Sequence, residues 1–428
     1  MVDRHSALVI GGGVAGLQAS LDLARMGFEV YLVERKPRIG GHASLLSKVL
    51  PTLESGEELV KQILQGLIEH PNIRILSYSE VEKVEGSMGS FKVRVLRRAR
   101  YVNEERCTNC GECENVCPIV VPRDYEMGLG VRKAVYLPSP HPLPAKYLID
   151  REHCLYFQDG SCHACRNACP ENAIIYEQKA GEEELNVDVI IAATGFKPYD
   201  ARKKGQYKYG VYRNVITGIE YERLCSPNGP THGEIVRIDN KEKPKSVVYI
   251  LCVGSREERN HGYCCRVGCL NALKHAHLLK NQYGEEVDAY ICYTDMRAVG
   301  KRAEEFYRRV RESGVNLIHG EPSEVRELPD GSLTMDAYDQ ATSKLLSITA
   351  DLVVLEAGLV PEVDLQETLG IPLDENGFFE EAHPQLAKNE TPIEGILLAG
   401  AVQEPMNVAE ATVQASAAAM RALILMQK

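Results

Sequence analysis

The chain has 428 residues, of which 44% are hydrophobic and 25% charged, and it carries a net charge of −11. That length suffices for two or three domains with their own cores, and the composition is too apolar for a disordered polymer. The acidic balance gives no reason to expect nucleic acid or an anionic membrane surface as partner.

No stretch approaches the roughly 18 consecutive apolar residues of a membrane span. Residues 1–5 run almost directly into the first strand, which leaves no room for a signal peptide. The expected compartment is therefore cytoplasmic and reducing, where grouped cysteines read as metal ligands or redox groups and not as structural disulfides.

Residues 7–10 (Ala-Leu-Val-Ile) are an apolar run suited to a strand buried on both faces. Gly11-Gly12-Gly13-Val14-Ala15-Gly16 follows, then a helix with Leu17, Leu21 and Ala24 on one face, then a strand ending in Glu34. In this pattern Gly11 makes a tight turn, Gly13 lets the backbone approach a pyrophosphate, and Gly16 permits close helix–strand packing. The helix start at Val14 and Ala15 offers free N–H groups to phosphates. Glu34, 18 residues past Gly16, is placed for a ribose hydroxyl pair.

The continuation Glu34-Arg35-Lys36-Pro37-Arg38-Ile39-Gly40-Gly41 resembles the extended fingerprint of two-dinucleotide-domain flavoproteins. Residues 189–198, with Thr194 and Gly195, and residues 353–361 are similar to companion strand–turn elements of that superfamily. Residues 395–401, ending in Gly400 and Ala401, resemble its last flavin-contacting strand, and a helix follows over 409–426. Many relatives place an Asp where this chain has Ala401. The resemblance implies FAD as cofactor.

Between about residues 100 and 178 that pattern is interrupted by Cys107-x2-Cys110-x2-Cys113-x3-Cys117-Pro118 and Cys154-x7-Cys162-x2-Cys165-x3-Cys169-Pro170. The first has the spacing of bacterial-type ferredoxins, whose fourth cysteine serves the other cluster. Cys107, Cys110, Cys113 and Cys169 are thus expected at one [4Fe–4S] site, and Cys154, Cys162, Cys165 and Cys117 at its neighbour. Residues 136–144 form a proline-rich, extended connector. His141, His153 and His163 read as surface residues, since the thiols already suffice.

A second nucleotide-type strand begins at residue 245, but no Gly-x-Gly-x-x-Gly follows it. Its turn carries Cys252, and Cys264, Cys265 and Cys269 come next, before a helix over 270–282 and a strand over 287–293. The nicotinamide loop reads as replaced by a thiol site able to hold a [4Fe–4S] cubane; zinc and idle thiols are the other readings. Cys225 and Cys292 read as packing residues. No acid–base or nucleophile constellation stands out. The terminal helix, rich in Ala and Leu, is expected to dock on the flavin domain.

Taken together, these residues resemble the HdrA family, the iron–sulfur flavoproteins of heterodisulfide reductase and their relatives in quinone-interacting oxidoreductase complexes. The resemblance rests on residues 9–16, Glu34-Arg35…Gly40-Gly41-His42, Cys252-Val253-Gly254-Ser255-Arg256, Tyr263-Cys264 and Gln414-Ala415-Ser416-Ala417-Ala418, besides the two ferredoxin motifs. It implies a third cluster beside the flavin and raises that reading above its alternatives. Gly268 stands where the family often has a second cysteine, and Cys265 is the substitute ligand. The absence of further cysteine segments implies a compact member.

The fold expected is α/β: a thioredoxin reductase-like, Rossmann-type flavoprotein with an inserted 2[4Fe–4S] ferredoxin domain. Residues 1–100, 179–243 and 356–428 form the FAD-binding part with a linker, 101–178 the insert, and 244–355 the second nucleotide-binding-like domain with its iron–sulfur site. The resemblance implies an electron-transfer protein working among other redox subunits, with a homodimer allowed within the complex. Electron bifurcation and simple relay both fit. The alternative function is a free-standing NAD(P)H-dependent flavin reductase.

Overall fold

The structure, a computed structural model, describes residues 5–427. The expectation about a leader falls almost wholly on residues 1–4, which lie outside the described residues, as does residue 428.

Five parallel strands form the first sheet, in the order Ile396–Leu398, Val189–Ala192, Ser6–Ile10, Glu29–Glu34, Ile73–Ser77. Ala7, Leu8 and Val9 are fully buried, as an apolar run without alternation requires when both faces are covered. Helices Val14–Arg25 and Val408–Met426 cover one face. The antiparallel strands Gly181–Val187, Phe91–Arg97 and Ser79–Glu85 cover the other.

Helix Val408–Met426 is, by length and composition, apolar enough to cross a membrane, with a mean hydropathy of 1.2. In the fold its Ala411, Ala415, Ala418, Ala419 and Ala422 are buried against the first unit. Ser416 donates to Asp22 Oδ2 at 2.6 Å, and Arg421 pairs with Glu390 at 2.9 Å. Its start is fixed by a capping box: Asn407 accepts from the Glu410 N–H, and Glu410 accepts from the Asn407 N–H.

A two-stranded antiparallel ribbon, Phe196–Pro198 with Leu359–Pro361, joins this unit to the second. The second sheet is again parallel: Val215–Thr217, Leu352–Ala357, Ser246–Val253, Asp288–Tyr293, Asn316–His319. Helices Gly218–Cys225, Gly268–Tyr283 and Ala303–Glu312 pack on one side. Strands Arg326–Glu327, Leu333–Asp339 and Lys344–Ala350 form a small sheet on the other.

The cysteine-rich segment is spliced into a β-hairpin. Its flanking strands pair in register from Phe91↔Val187 to Arg97↔Gly181. The pairing resumes at Val102↔Ile174, with Asn103 N–H to Ala173 O at 2.7 Å and Ile175 N–H to Tyr101 O at 2.9 Å. The two ends of the insert therefore leave the host side by side, so its host sheet closes as if a tight turn stood there. Between Val135–Tyr136 and Leu148–Ile149, which pair antiparallel, the proline-rich stretch returns on itself as a hairpin loop. It still connects the two cysteine motifs, but through bends and not as the extended segment that its composition suggests.

Candidate functional site

Strand Ser6–Ile10 delivers the glycine loop to the C-terminal edge of the first sheet, where helix Val14–Arg25 begins with no side-chain cap. The three glycines differ in what a side chain would meet. A Cβ at Gly11, where φ is +113°, would lie 2.3 Å from Ala193 O, and one at Gly16 would lie 1.8 Å from Gly11 O. A Cβ at Gly13 would find nothing nearer than Gly41 Cα at 4.0 Å. Gly11 and Gly16 thus serve the turn and the packing, and Gly13 keeps backbone open towards a cleft of about 1930 Å³.

That cleft is lined by Gly11, Gly13, Val14, Ala15, Glu34, Arg35, Gly41, Thr194, Gly195 and Ala401; Gly16, Gly40 and Gly400, expected at the same site, are not among its lining residues. Glu34 is buried, its two oxygens accepting from Gly12 N–H at 2.6 Å and Lys36 N–H at 2.7 Å. Arg35 pairs with Glu362 and Asp364, and Thr194 donates to Glu362 O at 2.6 Å. His42 stacks on Phe196 and bonds its carbonyl through Nε2 at 2.9 Å. Burial, together with Lys36 and Arg38, holds the His42 pKa down at about 4, so the ring is neutral near pH 7.

The insert brings its eight thiols together in two groups that cross the two motifs. Cys107, Cys110, Cys113 and Cys169 line one small cavity with Val102, Tyr147, Ala173 and Ile174. Cys117, Cys154, Cys162 and Cys165 line another with Ile119, Val135, Ile149 and Tyr176. Burial first, and then the neighbouring thiols, push Cys113 up to about 12. Four sulfurs crowded into an apolar pocket suit a soft metal centre that binds them as thiolates, and suit little else. His141, His153 and His163 are all exposed, as expected.

The third group forms where strand Ser246–Val253 breaks. Its register with Leu352–Ala357 shifts between Ile250 and Val253, and Cys252 sits in that bulge at φ +60°. Arg256 and Arg266 also take positive φ, an uncommon and strained choice for side-chain-bearing residues. The bends gather Cys252, Cys264, Cys265 and Cys269 around one cavity with Arg256 and Arg297.

Gly268 N–H points at Cys265 Sγ from 3.4 Å, and a Cβ at Gly268 would come within 3.1 Å of that sulfur. The glycine therefore makes room for Cys265. Sharing with Cys265, the Arg266 N–H, and then Arg297 and Arg256 hold the Cys264 thiol down near 5; the sharing and burial push Cys265 up. The Arg256 guanidinium lies against the Cys252 thiol, and among the described residues one of its buried nitrogens has no other partner, so it suits a sulfur acceptor. Cys264 and Arg266 line both this cavity and the large cleft. Cys225 and Cys292, outside all three groups, lie in or against apolar clusters.

A charged cluster that the sequence did not reveal lies in the cleft wall. His275 is buried between two carboxylates, with Nδ1 2.7 Å from Glu356 Oε1 and Nε2 2.7 Å from Glu222 Oε1. Lys274 Nζ approaches Glu222 Oε1 at 2.5 Å and Lys48 O at 2.8 Å. The other Glu222 oxygen accepts from Ser47 N–H and Oγ–H. Next in sequence, Arg223 reaches into the insert, where its Nε lies 3.0 Å from Glu126 Oε2, while Nη1 donates to Leu45 O. The signal available was helical phase: His275 shares a face with Gly268, Ala272 and Leu279, all buried.

Parts of the chain match known protein families. The family described as FAD dependent oxidoreductase matches residues 7–99. Pyridine nucleotide-disulphide oxidoreductase matches residues 268–418, and 4Fe-4S binding domains match residues 100–123 and 152–176. The iron-sulfur A-subunit of the CoB–CoM heterodisulfide reductase of Methanocaldococcus jannaschii is 44% identical over 424 residues, covering 98% of this chain and 64% of that protein. The A-subunit of the H(2):CoB-CoM heterodisulfide,ferredoxin reductase of Methanothermobacter marburgensis is 43% identical over 428 residues, covering 99% and 64%. The chain thus spans just under two thirds of the length of these relatives.

Among solved structures, thioredoxin reductase of T. acidophilum superposes with a TM-score of 0.56 at 14% identity, covering 99% of this chain and 100% of that one. An NAD-dependent persulfide reductase of A. fulgidus gives 0.51 at 16%, covering 97% and 58%. Those likenesses establish the two-nucleotide-domain fold. The ferredoxin matches support two [4Fe–4S] clusters in the insert. The chain belongs to the HdrA-like iron–sulfur flavoproteins of the heterodisulfide reductase family.

Proposed function

We propose that this chain is an FAD and iron–sulfur electron-transfer subunit that relays electrons between partner redox subunits of a heterodisulfide reductase-like complex. FAD would lie along Gly11–Gly16, Glu34, Arg35, Gly40–Gly41, Thr194–Gly195 and Gly400–Ala401. Bound there, it supplies the exchange between two-electron and one-electron chemistry that clusters alone lack. Cys107, Cys110, Cys113 and Cys169 hold one cubane, Cys117, Cys154, Cys162 and Cys165 the second, and Cys252, Cys264, Cys265 and Cys269 a third. Residues 101–178 act as the ferredoxin unit, and residues 244–355 carry the third site. A cytoplasmic location fits cluster chemistry in a reducing compartment.

The observation that carries this reading is the thiol group at the strand-to-helix turn of the second sheet. A nicotinamide dinucleotide would need a glycine loop at that turn, and four cysteines with three arginines occupy it instead. Because Cys264 lines both cavities, an electron leaving this site enters the flavin cleft directly. Arg256 and Arg297 favour the more negative, reduced state of a centre bound there, whereas the insert cavities have no such cation in their walls.

Metal analysis of the anaerobically purified protein tests it. About twelve iron atoms per chain and one FAD are expected, as three cubanes require. In Cys265→Ala the iron should fall to about eight, with loss of the centre of highest potential. A wild-type content of about eight, unchanged in Cys265→Ala, would show the third site empty.

A further inference from the structure

We propose that His275, Glu356 and Glu222 form an internal proton store for the flavin cleft, with Glu356 the residue that hands the proton across. This rests on the reading that flavin occupies the cleft. Lys274, His275, Glu222 and Glu356 all line it, on the wall formed by the second unit.

Three features of the cluster point to proton transfer. First, both ring nitrogens of His275 face carboxylate oxygens at 2.7 Å. With both carboxylates ionised only the doubly protonated ring can donate to each, so the cluster is built to hold one proton between His275 and its two acids. The two carboxylates raise its pKa against the opposing effect of burial. Two acids and two cations then balance within a nearly dry wall, where an unpaired charge would be costly.

Second, the two carboxylates are not equivalent. Glu222 is bonded at both oxygens, by Lys274 and His275 at one and by Ser47 at the other. Among the described residues His275 is the one hydrogen-bond partner of Glu356, through Oε1. Oε2 of Glu356 lies over Gly218, where a Cβ would come within 2.7 Å of it. Glycine at 218 leaves that oxygen unobstructed on the cleft side.

Third, among the described residues Lys274, on Glu222, is the one further charged side chain bonded to His275 and its two carboxylates. Helix Gly218–Cys225 presents Glu222 and Tyr221, strand Ser246–Val253 presents Tyr249, and strand Leu352–Ala357 presents Glu356. His275's own helix adds Lys274, and residues 47–48 add Ser47 and a carbonyl. Tyr221 and Tyr249 bond each other at 2.7 Å, and burial raises both far above their usual range, so they stay neutral.

In the transfer step, two electrons, delivered singly by iron–sulfur centres of the same chain, enter the isoalloxazine with one proton. The Nδ1–H bond of His275 breaks as its proton passes to the Glu356 carboxylate, and the resulting Glu356 O–H breaks as an N–H forms on the ring. Neutral His275 would recover its proton through the Glu356 carboxyl from water in the cleft, leaving hydroxide to the solvent.

The test follows flavin reduction in the cluster-loaded protein by excess reduced viologen, comparing wild type with His275→Asn and Glu356→Gln. In wild type the rate should depend less on pH than in the variants across the neutral to mildly alkaline range, because the proton comes from within. In either variant it should fall about tenfold per pH unit as solvent becomes the source. The time-resolved infrared difference spectrum of flavin reduction should also carry a transient Glu356 carboxyl band that Glu356→Gln removes. If His275→Asn does not fold, Glu356→Gln, which keeps the side-chain volume, decides alone. Identical pH profiles and difference spectra in folded variants and wild type would overturn the proposal while leaving the flavin reading intact. Purified protein that binds no flavin would overturn both.

Discussion

Arg223→Ala should cost about 3–5 kcal/mol of stability, because it strands the Glu126 carboxylate in a dry interface. The pair is 1% and 4% exposed, at 3.0 Å, with the guanidinium also over the Tyr125 ring and donating to Leu45 O. Helix Gly218–Cys225 belongs to the second sheet, Leu45 to the first unit and Glu126 to the insert, so one side chain ties three units. Its neighbour Glu222 ties Ser47 to Lys274 and His275 in the same way. Urea unfolding checks the cost. The paired replacement Arg223→Met with Glu126→Leu should recover most of it, since an apolar pair of similar volume avoids the desolvation penalty. A loss below about 1 kcal/mol in Arg223→Ala would mean that the interface relaxes and admits water. Fixing the units this way suits a relay, in which distances between centres must not drift.

The second large effect concerns the crossed cysteines. Cys169→Ala should remove the centre whose other ligands are Cys107, Cys110 and Cys113, with a loss of about four iron atoms per chain. Combining it with Cys110→Ala should lose no further iron, whereas combining it with Cys162→Ala should lose about eight. The reverse pattern would assign Cys169 to its own motif. The geometry favours crossing, because Cys169 lines the cavity of the first motif and Cys117 that of the second.

Much of this was legible in the sequence because its signals are local. Gly11 and Gly16 are glycines for backbone reasons that hold in any chain of this pattern, and the helix starts at Val14 as its spacing predicts. Within each ferredoxin motif three thiols share one short stretch of chain, and the fourth lines the cavity of the other motif, as the spacing predicts. What could not be read lies between distant segments. Glu222, Lys274, His275 and Glu356 come from three elements, and separately each resembles an ordinary surface charge. Only the packing of helix Gly218–Cys225 against helix Gly268–Tyr283 makes them a cluster. The role of Gly268 was equally hidden: as a sequence departure it looks like a lost ligand, and in the fold it admits the Cys265 sulfur. The proline-rich stretch misled for the opposite reason, since its local preference is extended while the pairing of Val135–Tyr136 with Leu148–Ile149 turns it back.

The most direct test is whether the flavin takes its electrons from metal or from a nicotinamide. Stopped-flow spectra of the cluster-loaded chain should show the flavin staying oxidised for minutes in excess NADH or NADPH, yet bleaching promptly with a one-electron donor that reduces the clusters. Prompt bleaching by NADH or NADPH would contradict it, and would mean that the thiol-lined turn of the second sheet still admits a nicotinamide.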